Sequence, residues 1–220
     1  MRRILIVTAV FAALLSPALA SAEDAGVKLE ASTADAPSTS GGAVLLGGKV
    51  GGIIPFGGLS PFVTGGIEAG YVFPWMNRAF AAALDVDYTA PKSDGSQDDA
   101  RLIPTGKYEW KLTEQQLAIM PVVMYRFTSL GKLVPYAGIG PRILMLRSTV
   151  KGSAGDKTIS ETTEQSTKVG VGVPIGVEYA LGPGALLGEL LLQYGGLDHT
   201  ATGDTNTGAL NIFLGYRFLL

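Results

Sequence analysis

The sequence predicts an all-β protein, an eight-stranded antiparallel up-and-down transmembrane β-barrel. Three observations favour this fold class: the last twelve residues alternate with a period of two, seven earlier segments do the same, and the connections between segments differ systematically in length. In the last segment every second residue from Leu210 to Leu220 is apolar, which is the pattern of a strand with one apolar face. A terminal strand has an unpaired edge unless another strand closes on it, so closure into a barrel is expected.

The first 22 residues predict an export signal. Arg2 and Arg3 precede an apolar run at 4–15, and the small residues at 18–22 offer a cleavage site. The apolar run is shorter than the roughly 20 residues that a membrane-spanning helix needs, which favours cleavage over a membrane anchor. Cleavage removes the two arginines and no acidic residue, so the formal net charge moves from -2 to -4.

Composition excludes some kinds of site but does not choose one fold. The chain contains no cysteine, which excludes disulfides and thiolate metal sites. No basic patch accumulates, so nucleic acid is not an expected partner. Residues 23–42 are small and polar without periodicity and predict a flexible periplasmic N-terminal segment, followed by a barrel domain at 43–220. A secreted β-sandwich has a similar composition, so the placement of apolar residues along each strand must distinguish the two folds.

Eight segments between Ala43 and Leu220 show this strand alternation. Their outward apolar residues run from Val44 to Phe56, Val63 to Phe73, Phe80 to Tyr88, Leu117 to Phe127, Leu133 to Met145, Val169 to Tyr179, Leu186 to Tyr194 and Leu210 to Leu220. The sixth segment is the most regular, since valine, isoleucine or tyrosine occupies every second position. An even number of strands is what single-chain bacterial membrane barrels require.

The connections between these segments fall into two classes. Tight links and long polar stretches alternate along the chain: links at 74–77, 128–132 and 181–184, stretches at 89–112, 148–167 and 195–208, with 57–60 as a short exception. Membrane barrels have short periplasmic turns at one rim and longer extracellular loops at the other. Aromatic residues cluster near both rims, as membrane interfaces favour; Trp110 is among those expected at the loop rim.

The fourth segment has a defect in its alternation. Tyr108 and Trp110 have the opposite parity to Leu117 and later apolar residues, which predicts a β-bulge in 113–116. Prolines at 121, 135 and 174 also lie inside expected strands, where each removes one ladder hydrogen bond.

From about Ala43 to Leu220 the chain resembles the eight-stranded outer-membrane β-barrel family, which contains OmpA-type transmembrane domains and OmpX-like and OmpW-like proteins. In that family the last strand carries an assembly signal, a glycine followed by outward hydrophobic or aromatic residues, and Gly215, Phe218 and Leu220 match it. Phe213 departs from the family pattern, which usually has a polar residue there, and the chain ends on leucine instead of an aromatic residue. The resemblance implies export through the periplasm and insertion into the outer membrane of a Gram-negative-type bacterium by the barrel-assembly machinery.

The inward positions carry ten charged side chains. Alternation places five cations and five anions in the lumen: Lys49, Glu68, Asp85, Asp87, Arg126, Arg142, Lys168, Glu178, Glu189 and Arg217. An eight-stranded barrel is only wide enough for its own side chains, and charges held there need partners to offset their desolvation. We therefore expect a plugged lumen cross-linked by salt bridges. The alternative is a gated polar path in which a pair on neighbouring strands, such as Arg142 with Glu178, opens to admit water and ions.

Enzymatic and metal-binding functions find little support in the sequence. His199 is the only histidine, and the serine that a Ser-His-Asp triad needs is missing beside it. One histidine does not make a metal site. The G-x-G at 138–140 does not continue as a dinucleotide-binding motif, and the acidic stretch at 92–101 lacks EF-hand spacing. We therefore expect no catalytic residue, no cofactor and no metal, and we do not expect an enzyme.

Two functions remain open. The first is a role in envelope structure or surface interaction, in which a closed barrel holds the stretches 89–112 and 148–167 for contact with lipopolysaccharide or a surface partner. The second is a small channel for ions or for a hydrophobic compound, as in OmpW-like or narrow porin-like proteins. The balanced luminal charges favour the first function.

Overall fold

A computed structural model describes residues 41–99, 106–155, 157–198 and 205–220. The predicted export signal, residues 23–40 of the predicted N-terminal segment and His199 lie outside them. The described residues form nine strands and one turn of 3-10 helix: β1 (Ala43–Pro55), β2 (Phe62–Val72), β3 (Phe80–Thr89), β4 (Lys92–Asp98), β5 (Lys107–Arg126), the 3-10 turn (Thr128–Leu130), β6 (Leu133–Ala154), β7 (Lys157–Leu181), β8 (Gly184–Tyr194) and β9 (Ala209–Leu219). No helix among them is long and apolar enough to cross a membrane.

Eight of the strands close into an antiparallel barrel. Each pairs with the next along the chain, except that β3 pairs with β5, and β9 pairs back to β1. The short β4 pairs only with β5, beyond the end of β3, because Ala90 and Pro91 interrupt the strand. The predicted fold class is therefore confirmed, and the terminal strand closes the barrel as its apolar face predicted.

Alternation separates the two faces of the wall. In β9, for example, Leu214 and Phe218 are exposed on the outer face, whereas Arg217 is buried in the lumen. Exposed aromatic residues lie at two levels: Tyr71, Trp75, Tyr125, Phe127, Tyr179 and Phe218 near the short turns, and Phe56, Tyr88 and Tyr194 toward the opposite rim. An apolar band between two aromatic girdles is typical of membrane barrels.

The prolines interrupt hydrogen-bond ladders without changing the register. Pairing between β5 and β6 is missing between Ile119 and Val123, around Pro121. Pairing between β6 and β7 is missing between Ala137 and Gly140, opposite Pro174. The register on both sides of each gap is the same, so each proline costs a ladder bond but does not displace the strand.

Two of the polar stretches predicted as long loops, 89–112 and 148–167, are mostly strand in their described residues, whereas the described residues of 195–208 form no strand. β6 continues to Ala154, β7 begins at Lys157, and Gly155 makes the turn between them with a φ of 57°. In β7 every position from Lys157 to Thr163 is exposed, so the alternation that reveals a membrane strand is absent there. As a result β5, β6 and β7 have 20, 22 and 25 residues, against 10 to 13 in β1, β2, β3, β8 and β9.

These extensions form a sheet that rises from one side of the barrel. We call it the projecting sheet and define it as β4 with residues 107–115 of β5, 147–154 of β6 and 157–167 of β7. The bulge predicted in 113–116 is wrong, because β5 keeps one register with β6 from Glu109 to Arg126. Trp110 is half-buried on the inner face of this sheet, outside the aromatic girdle, and a Cβ at Gly95 would lie 2.7 Å from its ring. Tyr108, Trp110 and Leu112 therefore lie on the inner face of the sheet, where Trp110 packs over Gly95. Alternation alone could not distinguish this arrangement from a bulge that moves the same residues to the outer face.

Candidate functional site: the luminal charge network

Lys49, on β1, lies at the centre of the lumen. Its Nζ donates hydrogen bonds to Asp85 Oδ2 at 2.5 Å and to Glu189 Oε1 at 2.7 Å. The same Nζ lies 4.5 Å from the ring centroid of Phe213. Phe213 departs from the polar residue usual at this position, and the attraction between a cation and an aromatic face gives it a role there.

Arg217, on β9, joins three carboxylates. It forms a two-pronged ion pair with Glu68, its Nη1 donates to Glu178 Oε1 at 2.5 Å, and its Nη2 lies 3.8 Å from Glu189 Oε2. Arg126 donates to the other oxygen of Glu178, with Nη2 at 2.6 Å. The planar guanidinium suits such bidentate contacts, which fix geometry as well as neutralise charge.

Tyr136 completes the network and is absent from the predicted luminal residues. Its hydroxyl donates to Glu189 Oε2 at 2.7 Å, and its ring centroid lies 4.6 Å from Arg217 Cζ. The parity of Tyr136 in β6 is the same as that of Arg142, so alternation could have placed it in the lumen. With Tyr136 included, every strand of the closed barrel contributes to the network: Lys49, Glu68, Asp85, Arg126, Tyr136, Glu178, Glu189 and Arg217 stand on β1, β2, β3, β5, β6, β7, β8 and β9 in that order.

Arg142 pairs with Asp87, and not with Glu178 as the sequence analysis suggested. Its Nη2 donates to Asp87 Oδ1 at 2.7 Å, and both side chains are completely buried. Glu178 lies opposite Val134, eight residues along β6 from Arg142, or roughly 26 Å of strand. Two inward residues on adjacent strands can form an ion pair only if the strand register also places them at the same height in the barrel.

The Arg142–Asp87 pair is incompletely satisfied. In the described part of the chain Arg142 Nε and Nη1 and Asp87 Oδ2 have no hydrogen-bond partner. Buried polar groups in proteins are commonly satisfied by internal water. This level of the lumen therefore suits bound water, whereas the Lys49 and Arg217 level is cross-linked by protein groups.

Lys168 stands apart from the other nine predicted luminal charges. It is half-buried and forms no ion pair with any described residue, whereas the other nine are buried and paired. Lys168 lies on β7 at a level that β8 does not reach, because the pairing of these strands ends at Val171 and Tyr194. The ammonium group of Lys168 is therefore open to water, which solvates it in place of an anionic partner.

Apolar residues close the lumen above and below the charges. Near the long-strand rim, Leu197 packs against Ala118, Leu144 and Leu146. A short bridged segment holds it there, with Leu197 N donating to Thr205 O at 3.0 Å. A second, larger apolar cluster fills the lumen beside the network and toward the turn rim: Ala43, Leu45, Val72, Ala81, Ala83, Met120, Val122, Met124, Tyr136, Leu187, Leu191 and Phe213. The inward parity of these residues is visible in the sequence, but the luminal prediction included only charged groups.

The residues of the predicted assembly signal form part of the seam that closes the barrel. A Cβ at Gly215 would collide with the carbonyl oxygen of Gly48, so only glycine lets β9 approach β1 at that point. Phe218 is exposed on the outer face with its ring edge-on to Tyr216, at 4.8 Å between centroids. Leu220 exchanges two backbone hydrogen bonds with Val44, of 2.8 and 2.9 Å.

The arrangement of these side chains suits closure of the lumen better than catalysis or metal binding. Four buried cations and five buried carboxylates form ion pairs with one another across the lumen. Within the described ranges no group of three or more histidine or acidic side chains could hold a metal ion. That the protein is not an enzyme remains a prediction.

Comparison with known proteins adds independent observations. The family model of the outer membrane protein β-barrel domain matches residues 6–218. The chain is similar to a major outer membrane protein from Thermus thermophilus, with 15% identity, 81% of this chain and 100% of that chain covered, and a TM-score of 0.52. It is also similar to neisserial surface protein A, with 23% identity, coverages of 81% and 97%, and a TM-score of 0.47. A third similar structure is Ail of Yersinia pestis in complex with the heparin analogue sucrose octasulfate, with 14% identity, coverages of 80% and 97%, and a TM-score of 0.40. None of the curated protein sequences matches the chain.

Proposed function

The chain belongs to the outer-membrane β-barrel protein family, and we propose that it acts there as a surface-interaction protein whose closed barrel anchors the projecting sheet. The protein resides in the outer membrane of a Gram-negative bacterium. Short turns lie on the periplasmic side in this family, so the projecting sheet extends outside the cell.

The open edge of β7 carries the proposal. From Lys157 to Thr163, β7 forms its strand pairs with β6, and no described strand pairs with its other edge. An unpaired strand presents N–H and C=O groups with which an extended segment of another protein can form a ladder. This edge contains no proline and is rich in threonine, which favours strand pairing. The partner that fits is an extended polypeptide segment outside the cell.

The closed lumen supports the same proposal. A lumen cross-linked by buried ion pairs favours a closed barrel and gives a rigid base for a long sheet. Ion pairs that involve residues of all eight strands hold the wall together, as the anchor of a long sheet requires.

The experiment is an adhesion assay with cells that display the protein. A trimmed variant, in which residues 149–163 are replaced by an Asn-Gly turn, removes the tip of the β6–β7 hairpin and leaves the membrane barrel. We expect wild-type cells to adhere to cultured epithelial monolayers, or to one another, above empty cells, and trimmed cells to lose that gain. Equal adhesion by wild-type and empty cells would refute the proposal, and so would full adhesion by the trimmed variant.

Two proline variants sharpen the assay. The N–H groups of successive strand residues point to opposite neighbours, and even-numbered residues of β7 point theirs at β6, as Ala180 N does at Lys132 O. Thr163→Pro therefore removes a donor from the open edge, and Thr162→Pro removes one from the ladder with β6. We expect the open-edge variant to reduce adhesion while the barrel keeps its stability. The other variant measures the effect of damaging the sheet itself.

A narrow channel is the second candidate function. The observation that favours it is the unsatisfied Arg142–Asp87 level, because bound water there would form part of a polar path. Conduction would also require the Lys49 and Arg217 ion pairs to open and Leu197 to leave the mouth.

A further inference from the structure

The outer face of the barrel carries a polar row at the upper border of the apolar band. Gln115, Arg147 and Gln165 stand side by side on β5, β6 and β7, and all three are exposed. The next outward row below contains Leu117 and Met145, which are exposed apolar residues. Arg147 is therefore the first outward charge above the apolar wall on these strands.

The height of this row matches the membrane surface. Tyr125 marks the lower aromatic girdle on β5, ten residues from Gln115. Ten residues at about 3.3 Å each, on a strand tilted by about 40°, rise roughly 25 Å. The apolar band of such barrels is about 25 Å tall, so the row lies at the level of the outer lipid headgroups.

Arg147 is available to a ligand. In the described part of the chain its guanidinium has no hydrogen bond or ion pair. The row above it contains Thr113, Thr149 and Thr163, and neither this row nor its own carries an acidic residue. A surface groove lined by the Arg147 row also includes Tyr88, Leu117 and Met145, so a ligand there meets amide and guanidinium groups above and apolar groups below.

We propose that Arg147, flanked by Gln115 and Gln165, binds a phosphate group of a phosphorylated glycolipid of the outer leaflet. A guanidinium donates paired hydrogen bonds to phosphate oxygens, and the two amides supply further donors. The apolar part of the groove contacts the acyl chains of the same lipid. Two rows higher, Lys111 and Lys151 stand opposite each other. Lys151 pairs with Glu161 at 3.2 Å, so Lys111 is the side chain that extends the positive charge toward the outer sugars. This inference is independent of whether the projecting sheet binds a protein.

The test uses the full chain refolded into phosphatidylcholine vesicles with increasing mole fractions of bisphosphorylated lipid A. The readout is the temperature at which the folded, heat-modifiable gel band is lost. We expect lipid A to raise this temperature for the wild type. We expect Arg147→Gln to need an about fivefold higher mole fraction for half the effect, since one cation near an anionic surface contributes about 1 kcal/mol. Arg147→Lys should fall between the two, because it keeps the charge but loses the planar fork.

Two control variants separate this site from general electrostatic attraction. Lys157→Gln removes a charge from the same sheet near its tip, and Lys132→Gln removes one at the opposite rim. Both should respond to lipid A as the wild type does. A Gln115→Ala/Gln165→Ala double variant carries the same test if Arg147→Gln does not fold. The proposal is overturned if Arg147→Gln responds like the wild type, or if lipid A without phosphates or inorganic phosphate alone gives the same shift.

Discussion

Arg217 is the side chain on which most luminal carboxylates depend. It is the sole cationic partner of Glu68 in the described part of the chain, and it shares Glu178 with Arg126. Removing one partner of a buried ion pair leaves an uncompensated charge, which costs about 3–5 kcal/mol. We expect Arg217→Met to lower the free energy of unfolding by that amount in urea titrations of the barrel in lipid vesicles.

Lys168→Met is the matched control for this prediction, since Lys168 is half-buried and has no ion pair with a described residue. It should change the free energy of unfolding little. The Arg217→Met/Glu68→Gln double variant should recover part of the loss, because a neutral amide is cheaper to bury than a lone carboxylate. If Arg217→Met is as stable as wild type, the ion pairs do not hold the strands together.

Gly215 and Gly48 offer a second prediction at single-residue scale. A Cβ at Gly215 would collide with the Gly48 carbonyl, whereas a Cβ at Gly48 would meet nothing within 4 Å. Gly215→Ala should destabilise the barrel by about 1–3 kcal/mol through overpacking at the β1–β9 seam, whereas Gly48→Ala should be close to neutral. Thermal loss of the folded gel band measures both. Equal effects would show that the seam can widen to accept a methyl group.

β9 closes the barrel and also matches the assembly signal of the family, and an assembly role can be tested separately from closure. Phe218→Ser removes an outward aromatic residue of that signal, and Phe127→Ser removes a similarly exposed one at the same rim. Each ring also has one edge-on tyrosine neighbour, at 4.8 and 4.9 Å. We therefore expect similar stabilities for the two purified, refolded variants.

In cells we expect Phe218→Ser to lower the fraction of folded protein in the outer membrane, while Phe127→Ser assembles as the wild type does. Immunoblots of unheated membrane fractions measure that fraction. The same loss for both variants would mean that Phe218 contributes only lipid-facing area. A recognition role for Gly215, Phe218 and Leu220 would then have no support.

The sequence predicted most of the wall because lipid imposes alternation on it. Every strand between the girdles must be apolar outside, so parity placed Val50, Glu68 and Arg217 on the correct faces. Alternation fails where lipid ends. Residues 157–163 are exposed on both faces, and nothing in their pattern distinguishes a strand from a loop.

The contacts between luminal side chains were less predictable than the face of the wall on which each side chain lies. Alternation predicts that Arg142 and Glu178 point inward. Their relative heights in the barrel depend on the register of β6 with β7, which the position of the connecting turn sets. The β6–β7 turn falls at Gly155, inside a stretch without strand alternation, so the register of this hairpin was not fixed by pattern. Leu197 reaches the long-strand rim of the lumen from a connecting segment, where there is no strand alternation to predict its direction.

At the scale of the whole molecule, the lumen is closed by barriers in series. Leu197 and its apolar neighbours close the mouth, Arg142 and Asp87 lie beneath them, and the Lys49 and Arg217 network crosses the barrel below. Barriers in series each have to open for conduction. A lesion in one of them therefore leaves the path blocked by the others, and this distinguishes an anchor from a pore with a single gate.

We therefore expect the wild type, Leu197→Ser and Arg142→Ala to be silent in planar lipid bilayers under an applied potential. Each sample must show the folded, heat-modifiable gel band, so that silence reports a closed barrel and not an unfolded chain. Arg142→Ala should still lose stability, because it leaves Asp87 buried without its partner. Reproducible single-channel steps in the wild type that change in Arg142→Ala would reverse the assignment. The Arg142–Asp87 pair would then be a gate, and the channel would replace the surface-interaction protein as the function of this barrel.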